Sequence, residues 1–388
     1  MSDDRYEGDD WRAERVKDIQ KTCDKFLAQT NFLVSATDDG DSKSAVKILI
    51  TGAASNQKNI FLLHSIAEGQ MLGPTQNVIL ICYGDQKASI ILQEMVNELK
   101  DCFLPLLADV LVTTDEKEAF TGIKIALLLD SVANDERSSL GKYQDTFRMM
   151  KEYGHSFNYT GSNVKILVIS EPVLINALIL RRHCQAVPPK NIASLSLTPL
   201  NVTKYQLFYD SSSFKVAKKM DAQPDRIKNL IMWGDDPHTF TYDLSRSTFK
   251  EGSEWKHLPT VLANEHWVKN YLPELVKERI QKLASRTESS LIVLSRAVCE
   301  QVYSWWFGLP NNDIKRMGVE SDGSYGITKG LYADFPVTIN SNGEYNIVRD
   351  IEITPTHQLK IQAINERLLD YVHSIQDWPM FQQNQLLA

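Results

Sequence analysis

A chain of 388 residues that is 43% hydrophobic and 23% charged carries enough apolar material for a large core, which excludes a wholly disordered polymer. Its formal net charge of -7, from 42 Lys+Arg against 49 Asp+Glu, disfavours a surface that wraps nucleic acid. Its longest strongly apolar run, Pro172 to Leu180, is shorter than the roughly 20 residues a membrane helix needs. The first ten residues, MSDDRYEGDD, have no apolar signal core and are too acidic for a mitochondrial transit peptide. Trp11, Val16, Ile19, Cys23, Phe26 and Leu27 then recur at the spacing of an amphipathic helix over Trp11 to Thr30. Such a helix either packs on its own domain or docks onto a partner. Asp38-Asp39-Gly40-Asp41-Ser42 reads as a linker, so residues 1–45 form an acidic extension.

After the linker the pattern becomes strand, turn, helix, repeated. Val46 to Ile50 is a β-branched run followed by Gly52 and a helical stretch, Ile60 to Glu68. Val78 to Cys82 is a second buried-type strand that ends at Tyr83-Gly84-Asp85. Ala88 to Leu99 is expected to be a helix with Ile90, Ile91, Met95, Val96 and Leu99 on one face. Ile123 to Leu129 and Val164 to Ser170 are two more apolar strands. Strands alternating with helices predict a mostly parallel sheet covered on both faces. From about Leu200 the pattern changes. Helical stretches at Glu274 to Ala284 and Ser289 to Trp306 mix with β-type segments at Phe335 to Ile339 and Tyr345 to Val348, which predicts a second, α+β domain. The five cysteines, Cys23, Cys82, Cys102, Cys184 and Cys299, show no zinc-ligand or redox-pair spacing and read as reduced, mostly buried thiols. The histidines are scattered and give no triad pattern; Arg181-Arg182-His183 and Lys215 to Lys219 read as solvated basic clusters.

Lys47-Ile48-Leu49-Ile50-Thr51-Gly52-Ala53-Ala54-Ser55 is a strand feeding a tight turn of the kind that cradles a pyrophosphate. Ile66-Ala67-Glu68-Gly69, Asn97 to Leu107 with Asp101-Cys102 inside it, Trp233-Gly234, Trp306-Phe307-Gly308 and Ser321-Asp322-Gly323-Ser324-Tyr325-Gly326 follow in order. From Val46 to the C-terminal helix this series resembles the cytosolic type of malate dehydrogenase, in the malate/lactate dehydrogenase family. The resemblance implies an α/β fold: a Rossmann-type, doubly wound, mostly parallel sheet over 46–198, then an α+β substrate domain over 199–388. It also implies NAD as cofactor and L-malate oxidation as the family activity.

Carried across position by position, the family's working residues are replaced. The second turn glycine is Ser55, and the third small place falls in Gln57-Lys58-Asn59, where the loop is one residue longer. The acidic residue for the adenosine ribose falls on Gly84, with Asp85 one step late, and the glycine that lines the pyrophosphate is Asp130. The three arginine places of the substrate loop hold Asn134, Asp135 and Leu140, with Arg137 offset. The catalytic Asp is Pro199, a substrate Arg is Val202, and the catalytic His is Asp236 in Trp233-Gly234-Asp235-Asp236-Pro237-His238. The nicotinamide-side Asn is Glu171, whereas Asn176, Asn201 and Ser290 are kept.

No catalytic residue is therefore intact, His238 being a weak substitute base. Gly52, Ala53, Ser55, Asp85 and Asn176 remain as vestiges of a cofactor site, and NAD is expected to bind weakly or not at all. Asp130, Asp135, Glu171 and Asp236 replace positive charge with negative, which repels a dicarboxylate. No metal site is expected, although Asp236, His238 and Glu171 are the residues a cation would use. The pattern reads as a pseudoenzyme acting as a structural or regulatory interaction module, the alternative being a family oxidoreductase with an altered substrate. The family resemblance implies a homodimer through a helix at 94–107, or else protein partners through the N-terminal helix, with neither nucleic acid nor membrane. It implies a cytoplasmic location, with cilium or flagellar axoneme assemblies as a further place for such divergent relatives.

Overall fold

The computed structural model describes residues 44–130, 143–196, 227–234, 241–261, 290–310 and 313–376, with Glu274, Glu278, Trp378 and Phe381 placed singly. The helix expected at Trp11 to Thr30 and the linker after it lie outside these residues, as does most of Glu274 to Ala284. Residues 45–388 form one compact unit.

In chain order the strand–helix alternation runs β1 (Val46–Thr51), α1 (Ile60–Ala67), β2 (Val78–Tyr83), α2 (Gln86–Asp101), β3 (Leu107–Thr113), α3 (Glu116–Phe120), β4 (Ile125–Leu128), α4 (Gln144–Ser156), β5 (Lys165–Val168), α5 (Val173–His183) and β6 (Ile192–Ser194). Five short strands follow: β7 (Ile227–Lys228), β8 (Ile231–Trp233), β9 (Thr241–Asp243), β10 (Thr248–Glu251) and β11 (Glu254–His257). The chain then runs through α6 (Ser290–Phe307), β12 (Lys315–Glu320), β13 (Tyr332–Ile339), β14 (Tyr345–Ile347) and α7 (Pro355–Gln376).

One nine-stranded sheet organises the molecule, in the order β14-β13-β12-β6-β5-β4-β1-β2-β3. Strands β1 to β6 are parallel, and their order, 3-2-1-4-5-6, is that of a doubly wound fold. The central strands are buried on both faces, so Ile48, Leu49, Ile50 and Ile125 to Leu128 read as continuous apolar runs. The antiparallel strands β12, β13 and β14 extend the same sheet through one pair, Gly318 with Ser194. That join needs glycine: a Cβ at Gly318 would lie 1.9 Å from Ser194 Oγ. Two small sheets, β11-β10-β7 and β8-β9, stand apart.

The helices cover the sheet with apolar stripes. In α7, Ile361, Ile364, Leu368, Val372 and Ile375 recur every three or four residues and are buried. In α2 the buried stripe is Leu92, Met95, Val96 and Leu99. Ile90, expected on that stripe, is 66% exposed, because two residues before Leu92 is about 200° away around the helix. The helix also ends earlier than 94–107 requires. Cys102 caps it, Phe103 turns left-handed at φ 48°, and Pro105 supplies no N–H to continue it. The Arg181-Arg182-His183 cluster is not uniformly solvated: His183 is buried against His155 and Phe381. Cys82, Cys184 and Cys299 are buried thiols, and Cys102 is exposed. No helix among the described residues is long and apolar enough to cross a membrane.

Candidate functional site

Strand order reverses between β1 and β4, so a crevice opens at their carboxyl ends, the position where doubly wound sheets bind ligands. Thr51 ends β1, and Gly52 follows at φ 65°. A side chain at Gly52 would strike the backbone after β4: a Cβ would lie 2.3 Å from Asp130 N and 2.4 Å from Asp130 Cα. Glycine is thus required to bring the turn against Asp130, not only to make the turn.

Asp130 faces inward and is buried. The Thr51 hydroxyl donates to its Oδ2, and the Tyr153 phenol of α4 donates to its Oδ1 at 3.1 Å. Burial raises the Asp130 pKa, and the two hydroxyl donors oppose that rise. Tyr153 belongs to an edge-to-face aromatic group: Tyr83 lies 6.3 Å from it and 5.8 Å from Phe120, and Phe120 lies 5.0 Å from Phe157, centroid to centroid. The carboxylate at the switch point therefore has its own donors and a packed aromatic support.

The loop after Gly52 folds as two short 3-10 turns, Ala53–Ser55 and Gln57–Asn59, before α1 begins. The Asn59 amide donates back to Ala53 O at 3.1 Å, tying the loop to itself. Asp85 is engaged as the N-cap of α2, accepting from Lys87 N at 3.0 Å and Ala88 N at 2.8 Å. Asn176 is fully buried in α5 and donates to Ser170 O at 2.8 Å, while its Oδ1 has no partner. Of the vestigial set, Gly52, Ala53 and Ser55 share the crevice turn; Asp85 and Asn176 serve local structure.

A second cluster lies beneath Trp233-Gly234. Arg316 of β12 is 3% exposed; its guanidinium pairs with Asp334 of β13 and donates to Gly234 O, with a longer bond to Ser196 O at 3.4 Å. Burial raises the Asp334 pKa, and Arg316 opposes the rise. Glu171, at the turn into α5, is exposed at its surface. Desolvation by the surrounding protein raises its carboxyl pKa, the Val173 N–H lowers it, and the charge on Asp334 adds to the rise. Trp233 packs edge-on to Tyr325 at 4.8 Å. The cavity between Trp233, Gly234, Leu174 and Asp334 is about 10 Å³, room for one water at most.

Asn134, Asp135, Arg137, Leu140, Pro199, Asn201, Val202, Asp236 and His238 lie outside the described residues. Ser290 opens α6. No group of three or more metal-ligating side chains occurs among the described residues. The buried Arg316–Asp334 pair and the Tyr153 donor are absent from the sequence-level reading. The available signal was a charge inside each of two β-type runs, Lys315 to Val319 and Tyr332 to Val337.

Residues 208–377 match the lactate/malate dehydrogenase alpha/beta C-terminal domain. Over 334 residues the chain is 30% identical to a cytoplasmic malate dehydrogenase of Medicago sativa, covering 85% of this chain and 97% of that one. A cytoplasmic malate dehydrogenase of Taenia solium is 30% identical over 309 residues, covering 78% and 89%. Among solved structures, a malate dehydrogenase from Naegleria fowleri superposes with a TM-score of 0.75 at 26% identity, covering 87% of this chain and 99% of that one. A Trichomonas vaginalis lactate dehydrogenase in complex with NADH and oxamate gives 0.73 at 26% identity, covering 84% and 97%. With the doubly wound sheet, the Gly52 turn at its switch point and the Trp233-Gly234 strand all in place, this chain belongs to the malate/lactate dehydrogenase family.

Proposed function

We propose that this family member has lost NAD-dependent malate chemistry and serves as a structural or regulatory interaction module in the cytoplasm, including ciliary or axonemal assemblies. The observation that carries this reading is Asp130. It sets a buried carboxylate at the crevice where a dinucleotide would place its pyrophosphate. A negative charge beside the Gly52 turn opposes the negative charge of a pyrophosphate. On this reading the crevice turn, with Asp130 against it, does not suit a dinucleotide. Sequence supports the same reading, since Pro199 and Asp236 stand at the family's Asp and His places. A missing general base removes about 10²–10⁴ in rate. On this reading the interaction surface is either a homodimer contact through 94–107, where α2 ends at Asp101, or the N-terminal segment Trp11 to Thr30 docking a protein partner.

A second reading, an oxidoreductase with an altered substrate, draws support from the extent of the match, which includes a relative solved with NADH and oxamate. NADH titration of the full chain, followed by fluorescence and thermal shift, separates the two. The proposal expects a flat titration by folded protein and no malate or oxaloacetate turnover. Saturable NADH binding with turnover of either substrate would overturn it and establish the second reading.

A further inference from the structure

Beside the Ser194–Gly318 join, a second concavity lies at the amino ends of the parallel strands, the end of the sheet opposite the crevice. Pro189 and Lys190 lead into β6, and Glu320 to Asp322 leave β12, which runs antiparallel to it. Between them, the end of α5 and β14 is a groove of about 940 Å³. That is within the size range of pockets that take a small organic ligand.

The groove is positive in an acidic protein. Its lining carboxylates already have guanidinium partners. Glu320 faces Arg181 at 3.8 Å, Asp322 pairs with Arg349, and Asp350 pairs with Arg246 at 2.9 Å. Arg182, Lys190 and Lys329 line the groove in addition to these pairs. Lys190 and Lys329 make no ion pair among the described residues. Gly330, at φ 85°, sits beside Arg182: a Cβ there would come 3.2 Å from its guanidinium. A side chain at Gly330 would crowd the Arg182 head, which lines the groove. Helix-end electrostatics account for basic residues at the close of α5, but not for Lys190 and Lys329, which come from two other segments. Tyr345, Ile347 and Pro189 add an apolar wall.

We propose that this groove binds a small polyanion, a phosphorylated metabolite, with Arg182, Lys190 and Lys329 as its charge-recognition set and the apolar wall holding the rest of the molecule. The site is independent of the crevice, so its occupancy does not require dehydrogenase chemistry.

The test uses the full chain and inorganic pyrophosphate as probe, by calorimetry and thermal shift at two ionic strengths. Wild type is expected to bind saturably, more weakly at higher salt. Lys190→Gln and Lys329→Gln are each expected to weaken binding by about tenfold, the worth of one charge-assisted contact. A control pair of equal charge on remote segments, Lys87→Gln with Lys117→Gln, is expected to leave binding unchanged. Absence of saturable binding by wild type overturns the proposal. So does equal loss in the control pair, which signals diffuse attraction, and so does full binding in both groove variants, which places the anion elsewhere, the crevice included.

Discussion

Replacing Arg316 by Met tests whether the cluster under Gly234 is held by charge. Arg316 is 3% exposed, and its partner Asp334 has 9% side-chain exposure, so removal of the guanidinium strands a buried carboxylate. It also strips the Gly234 and Ser196 carbonyls of a donor. Breaking a buried pair in this way costs about 3–5 kcal/mol, a large share of the 5–15 kcal/mol that typically holds a domain folded. Equilibrium unfolding in guanidinium chloride at neutral pH, read by fluorescence and circular dichroism, measures the loss. The double variant Arg316→Met with Asp334→Leu removes both charges and is expected to return to within about 1 kcal/mol of wild type. A pH series adds an independent arm. Burial already raises the Asp334 pKa, and losing Arg316 raises it further. The folded state of Arg316→Met then holds a proton that the unfolded state has released. Relative to wild type, its stability falls as pH rises above the ordinary Asp value, by at most about 1.4 kcal/mol per pH unit, and levels off once pH passes the folded pKa. A single variant that loses less than about 1 kcal/mol, or a double variant as unstable as the single, would refute the reasoning.

Four further outcomes follow from described contacts. Asp130→Ala leaves the buried Thr51 and Tyr153 hydroxyls without their acceptor and is expected to lower stability by about 2–4 kcal/mol in denaturant titration. His183 is buried with its pKa lowered to about 4, by burial first and then by Lys151 and His155, so the unfolded chain takes up the proton first. Stability should fall as pH drops from about 6.5 toward 4, and His183→Phe should flatten that limb of the wild-type pH profile. Burial lowers the Lys165 pKa to about 8, while Lys165 donates to Gly343 O at 2.7 Å and lies over the Trp305 ring at 4.6 Å. Its folded form sheds a proton before the unfolded form does, so a rise in stability between about pH 8 and 10.5 should vanish in Lys165→Met. Gly318→Ala drives a methyl into Ser194 Oγ and is expected to destabilise by about 1–3 kcal/mol, with partial recovery when Ser194→Ala is added.

The parallel half of the fold was legible in the sequence because strands buried on both faces are written as unbroken Ile, Leu and Val runs, as at Ile48 to Ile50 and Ile125 to Leu128. Strand β3 is an edge strand with Ala108 and Asp109 exposed, so its pattern carries no such run. Strands β7 to β11 are two to four residues long, too short for periodicity to register. In the site, the turn at Gly52 and the intrusion of Asp130 were readable position by position. What Asp130 bonds to was not, since Tyr153 comes from a helix 23 residues away and its role depends on how α4 lies on the sheet. Asp85 was readable as an acidic residue one place late, and only the backbone revealed it as a helix cap. The Arg316–Asp334 pair is a diagonal across neighbouring strands, in which Gly318 is the residue directly opposite Asp334, so register decides it and composition does not.

The single bridge between Ser194 and Gly318 also determines how the chain could be divided. Fragments cut near residue 198 would separate β6 from β12 and leave each piece with a raw strand edge where it had a neighbour. Unpaired N–H and C=O groups on a newly opened edge recruit other strands, so each half made alone would self-associate instead of staying monomeric. The same bridge couples the halves in inheritance: a side chain added at Gly318 meets the Ser194 hydroxyl, 124 positions earlier in the sequence, and needs an answer there.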